Sequence, residues 1–279
     1  MDETQIIEHK KKYPTITQSF GIVGIIILAM ILFSPVILFK ELIGEEVSTL
    51  IYYILAMGCS FLVIDRIKNK KLGKSNYTLG FVNARILIFI SIATIALQIG
   101  VTSPIVYSIP MPEFIKVMFI EMSQRTGPFS FLMIVIAAPI LEELIFRGVM
   151  LDGLLKSYSP IKSILISSIF FGLVHLNPWQ FVAALVIGIF SGWVYYHTRN
   201  LMFSIVIHLV NNLFAFLSMY FTDPEEMMRT TLTETYGGIL SMVLSILSAI
   251  LVAVVCIYFL KKELTTKIWR DENEPLLPD

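Results

Sequence analysis

Eight apolar runs limit what this chain can fold into. They cover residues 20–39, 49–64, 86–106, 129–150, 161–177, 180–197, 201–220 and 238–260. Most approach the ~20 residues that a helix needs to cross a bilayer core. No water reaches that core to satisfy a backbone N–H or C=O, so apolar runs of this length are expected to cross as helices. With 56% of residues hydrophobic, 15% charged and a mean hydropathy of +0.78, the composition agrees. The expected fold class is an all-α, polytopic membrane helix bundle of about eight transmembrane helices. It forms a single membrane domain over residues 1–279, with its core in 129–220 and polar tails at 1–18 and 261–279.

The basic residues set the orientation. With the N-terminus in the cytoplasm, sixteen of the 21 Lys and Arg side chains fall on the inner side. Lys40, Lys116, Arg125 and Arg229 fall outside, and Arg147 lies within the fourth run. Cytoplasmic loops carry such an excess of positive charge. The expectation is therefore a multi-pass cell-membrane protein with both tails cytoplasmic, and the size and short tails point to a bacterial one. The loop 65–85 is basic and suits an anionic lipid surface. Segment 111–123 is apolar but too short to span, which fits an interfacial helix on the outer side. Membrane lipid is thus one partner. The formal net charge of zero gives no reason to expect nucleic acid as another. Cys59 and Cys256 sit in apolar runs and read as packing residues rather than a disulfide framework.

The fourth run, FSFLMIVIAAPILEELIFRGVM, carries Glu142, Glu143 and Arg147. A charge at the bilayer centre costs roughly 3 kcal/mol or more, so intramembrane ionisable groups usually face a bundle interior and mark a functional site. Glu143 and Arg147 are four residues apart, lie on one helical face and can pair. Glu142 is turned about 100° away at 3.6 residues per turn and has no cation in its own helix. That makes Glu142 the candidate working carboxylate and Glu143–Arg147 the candidate structural pair. The fifth run ends in His175. The seventh carries His208 and, one turn on along the same face, Asn212; Asn211 is turned away. His197 beside Tyr195 and Tyr196 reads as an interfacial anchor, and His9 lies in the polar tail.

A carboxylate beside an imidazole can deprotonate water. An amide or a second imidazole can donate to a developing oxyanion. Together these groups suit water attack on an amide. The chain has no Gly-x-Ser-x-Gly elbow and no His-Glu-x-x-His motif. Glu142, His175 and His208 could alternatively supply a two-histidine, one-carboxylate zinc site with an open position. Two non-proteolytic readings also stand. One is a non-catalytic member of the family whose motifs these residues resemble, such as a bacteriocin-immunity or scaffold protein that keeps the pocket. The other is a proton-coupled transporter, against which the polar groups form one cluster rather than a trail across the membrane.

The three motifs together resemble one family. Glu142-Glu143-Leu144-Ile145-Phe146-Arg147, Phe171 to His175, and His208 to Asn212 look like the motifs of the CPBP (CAAX protease and bacteriocin-processing, or Abi) intramembrane proteases, which include the type II CAAX prenyl endopeptidases. The resemblance covers about residues 129–216. It implies an endopeptidase acting on membrane-associated or CAAX-like peptides and proteins. Glu142 and His175 would activate water, His208 and Asn212 would hold the oxyanion, and Arg147 would hold Glu143. Members are commonly labelled metalloproteases, so zinc is an open cofactor question.

Overall fold

Many helix starts in this chain carry their own cap, a side chain that accepts from a first-turn N–H. Thr15 accepts from Gln18, Asn83 from Arg85, Asn177 from Gln180 and Asn200 from Met202. Proline opens others at Pro128 and Pro160, and stands at Pro178 behind the Asn177 cap, where its missing N–H has no helical partner to lose. The computed structural model describes residues 12–73, 76–80 and 83–265, and these contain helices and no strand. His9 and the outer parts of both tails, 1–11 and 266–279, lie outside the described residues.

In chain order the helices are α1 (Ile16–Ile43), α2 (Glu45–Leu72), α3 (Ala84–Ser108), α4 (Glu113–Ser123), α5 (Pro128–Leu154), α6 (Pro160–Leu173), α7 (Pro178–Thr198), α8 (Leu201–Phe221) and α9 (Ile239–Leu264). Two short helical turns, Pro224–Arg229 and Leu232–Thr235, lie between α8 and α9. Among the described residues seven helices are long and apolar enough to cross a membrane. The fifth expected span, 161–177, contains only the 14-residue α6. At 1.5 Å per residue that is about 21 Å, short of the ~30 Å core. The helix stops because Leu176 takes φ 56° and Asn177-Pro178 begins the next helix. At the C-terminal side, α9 carries helix through Leu264, past the expected boundary at 261.

Burial ranks the helices. In their most apolar windows 11% of residues are buried in α1 and 17% in α9, against 44% in α5 and α7. The first two therefore face outward and the latter two form the centre. α7 joins two packed clusters, one with Met57, Phe146, Phe171 and Ala184, the other with Ile90, Ile187, Val194, Ile207 and Cys256. Gly188 permits the close approach of α6 to α7: a Cβ there would come within 2.9 Å of the Ser168 Cβ.

Three π-helical stretches interrupt the long helices, and two precede a proline. Gln98–Thr102 lies before Pro104, and Leu132–Ala137 before Pro139. A proline inside a helix has no N–H and clashes with the carbonyl four residues back, and widening the turn relieves the clash. The N–H groups of Ser103 and Ala138 accordingly bond five residues back, to the carbonyls of Gln98 and Met133. The next donors in that pattern would be Pro104 and Pro139, which have none. The carbonyls of Ile99 and Ile134 must look elsewhere. The Tyr236 hydroxyl donates to Ile99 at 2.7 Å, and the Asn212 amide to Ile134 at 2.8 Å. In the third stretch, Leu144–Leu151, Lys68 donates to the Gly148 carbonyl at 2.9 Å and Ser167 to that of Phe146 at 3.1 Å.

The two ends of the bundle differ in charge. At one, Asp152 pairs with Lys156 at 2.9 Å and Arg199 at 3.3 Å, near Lys68. At the other, Glu46 accepts from the Gly127 N–H, Arg125 pairs with Glu45 at 2.7 Å, and the Trp179 indole donates to the Ile109 carbonyl.

Candidate active site

Pro139 and its π-helical turn set the rotation of the next helical segment, Ala138–Glu143. Glu142 and Glu143 end that segment, and their side chains go to different partners. Glu143 is fully buried. Its Oε1 accepts from Arg147 Nη1 at 2.8 Å and lies 3.0 Å from His208 Nδ1, while Oε2 accepts from the Ser191 hydroxyl at 3.3 Å. Arg147 is equally buried and donates through Nη2 to the Gly188 carbonyl at 3.2 Å. Its guanidinium stands 4.6 Å from the centre of the Phe171 ring. Two charges taken out of water need such additional partners to offset the lost hydration.

Glu142 keeps 9% of its surface and makes two contacts. The Tyr53 hydroxyl donates to Oε1 at 2.5 Å. His208 Nε2 stands 3.7 Å from Oε2. His208 thus lies between the two glutamates, with one ring nitrogen toward each. A carboxylate only accepts, so the His208 nitrogen at Glu143 carries the proton. Nε2 is left facing Glu142.

Phe171 joins the two histidines. Its ring meets His208 edge-on at 5.4 Å and His175 at 5.5 Å. His175 is half-buried on the turn that closes α6, and its Nδ1 lies 3.0 Å from the Phe171 carbonyl. The carbonyl can only accept, so this nitrogen carries a hydrogen and Nε2 is the ring nitrogen left for the site. Asn212 lies one turn beyond His208 on α8. One amide hydrogen goes to Ile134, and its Oδ1 accepts from Asn211 at 3.1 Å. The second amide hydrogen is uncommitted by these two bonds.

Glu142, Glu143, Arg147 and His208 therefore form one contiguous network. His175 and Asn212 border it through Phe171 and α8. Among the described residues no three His, Cys, Asp or Glu side chains are grouped so as to hold a metal ion. The zinc set Glu142, His175 and His208 is therefore not brought together as one ligand group. His197 packs against Trp193 and Tyr196, away from the network.

Two members escape sequence reasoning. Tyr53 lies in the second apolar run with nothing to mark it among 11 tyrosines. Ser191 sits between Gly188 and Gly192, a small-residue stripe whose signal is close helix packing.

Residues 124–214 match the family model described as Type II CAAX prenyl endopeptidase Rce1-like. Over 80 residues the chain is 32% identical to the "Putative membrane peptidase YdiL" of Bacillus subtilis (strain 168). That stretch is 29% of this chain and 33% of the relative, so the chain spans about a third of the length of the curated relative it matches. No solved structure matches the chain. The matched segment contains Glu142, His175, His208 and Asn212 and excludes Tyr53.

Proposed function

We propose that this chain, whose residues 124–214 match the Rce1-like family model, is an intramembrane endopeptidase that hydrolyses membrane-associated or CAAX-like peptides with a glutamate-activated water. The observation that carries the reading is the division of labour between adjacent carboxylates. Glu143 is spent on Arg147, His208 and Ser191, whereas Glu142 keeps an oxygen turned toward His208 Nε2.

The steps follow from these positions. Glu142 takes a proton from water, with His175 Nε2 assisting. The water oxygen attacks the peptide carbonyl carbon, and the C=O electron pair moves onto oxygen. The second amide hydrogen of Asn212 holds that oxyanion, joined by His208 Nε2 once that nitrogen also carries a proton and the ring is an imidazolium. The C–N bond then breaks, and the proton from Glu142 passes to the leaving amine. Glu143 and Arg147 fix the His208 ring and take no part in bond making.

The site depth supports access from the basic end. From the Asp152–Arg199 pair to the Glu143–His208 contact is nine residues along α5 and, counted from Arg199 just before α8, nine along the chain. At 1.5 Å per residue both paths give about 14 Å. If the basic end faces the cytoplasm, the site lies in the inner half of the membrane.

The test is hydrolysis by the purified protein in liposomes. The probes are a farnesylated Cys-a-a-X peptide, its unmodified form and a single-span membrane peptide. Cleavage of any one supports the reading, and preference among them assigns the substrate class. No product from any probe by folded protein would favour the non-catalytic reading.

A further inference from the structure

α2 lies outside the family-matched segment, yet it touches α5 at three levels. Glu46 accepts from the Gly127 N–H at 2.8 Å, just before α5 begins. Tyr53 donates to Glu142 at 2.5 Å in the middle. Lys68 donates to the Gly148 carbonyl at 2.9 Å within the last π-helical stretch. α5 needs such support, because its two π-helical stretches leave its path dependent on outside donors.

Among these contacts the one from Tyr53 reaches the reacting group. A carboxylate on a flexible side chain can rotate, and only one arrangement turns Oε2 toward His208. The Tyr53 hydroxyl occupies Oε1, so the other oxygen is the one presented. A phenol suits this position: its ring packs with the apolar cluster around Met57 and Phe146 while its oxygen meets the carboxylate. Phenylalanine would keep the packing and lose only the donor. Nothing within the matched segment supplies an equivalent donor to Glu142.

We infer that Tyr53 is a positioning residue for Glu142, and that α2 supplies a part of the active site which the Rce1-like segment does not contain. The inference rests on the reading of Glu142 as the base. Tyr53 does not touch the reacting atoms in this account. It holds one carboxylate oxygen so that the other meets water.

Two measurements on the full-length protein test it. In the first, Tyr53→Phe is assayed in liposomes on whichever probe peptide the wild type cleaves. A lost hydrogen bond to an ionised group should lower kcat about ten- to hundredfold. KM should stay within about twofold and the melting temperature within a few degrees, because only an interaction with the base has been removed. Wild-type kcat in Tyr53→Phe would overturn the inference, as would a loss confined to KM. The second measurement needs no activity and no Tyr53 variant. 3-Fluorotyrosine is incorporated at position 53 and its fluorine resonance is compared between the otherwise wild-type protein and Glu142→Gln. The resonance should move when the carboxylate is neutralised. An unmoved resonance means that the two groups do not meet, and the inference fails. A moved resonance in a protein that cleaves no probe keeps the contact and instead rejects the protease reading.

Discussion

The Asn212 amide donates to the Ile134 carbonyl at 2.8 Å, the acceptor that Pro139 leaves without a backbone donor. Asn212 therefore ties α8 to the backbone four residues before the segment Ala138–Glu143, which carries Glu142. An Asn is suited to serve two acceptors at once, since Nδ2 carries two hydrogens. One can hold the helix and the other can meet an oxyanion.

Asn212→Ala should consequently show two losses. Leaving the buried carbonyl unsatisfied should destabilise the fold by about 1–3 kcal/mol. Activity should fall as well. Thermal unfolding in detergent reads the first and peptide hydrolysis the second. An unchanged melting temperature with activity lost would leave Asn212 with the oxyanion role alone.

Tyr236 provides a control for the same physics away from the site. Its hydroxyl caps the Ile99 carbonyl ahead of Pro104. Tyr236→Phe should cost about 1 kcal/mol, the usual net worth of a hydrogen bond, and leave hydrolysis unchanged. An unchanged melting temperature would show that the proline-freed carbonyl needs no protein donor.

Glu143→Gln should behave as a folding lesion. Arg147 and Glu143 are both fully buried, and His208 shares the same oxygen. Removing one partner of a buried pair typically costs 3–5 kcal/mol because the other charge is left uncompensated. Low yield or a strongly lowered melting temperature is the expected result. A stable, inactive Glu143→Gln protein would exchange the roles given to the two glutamates.

The basic and acidic ends of the bundle predict its orientation. Cysteines placed at Lys71 and Lys156 should resist an impermeant thiol reagent in intact cells, while one at Glu226 should react. Labelling at Lys71 would reverse the bundle and put the candidate site in the outer half of the membrane.

Much of the fold was readable because apolar length is a direct requirement of the bilayer. α6 was overestimated for the same reason: the apolar run continues to His175, while the backbone turns at Leu176. The Asn177-Pro178 pair was the available signal. The spacing of Glu143 and Arg147 placed both on one face because four residues is one helical turn, and the structure pairs them at 2.8 Å. The contact of His208 with Glu143 joins α8 to α5, and no periodicity within one helix encodes it. Tyr53 was invisible for that reason too. Pro139 did announce a broken ladder near Glu142, but not which side chain would fill it.

Hydrolysis by Glu142→Gln beside the wild type tests the central claim most directly. The substitution keeps the shape of the side chain and removes the base. Cleavage of the probe peptide in liposomes should fall by about two to four orders of magnitude, the usual worth of a general base. The melting temperature should stay close to wild type, because Glu142 holds no buried cation and keeps 9% of its surface. Cleavage by Glu142→Gln at the wild-type rate would contradict the account and return this carboxylate to a structural role.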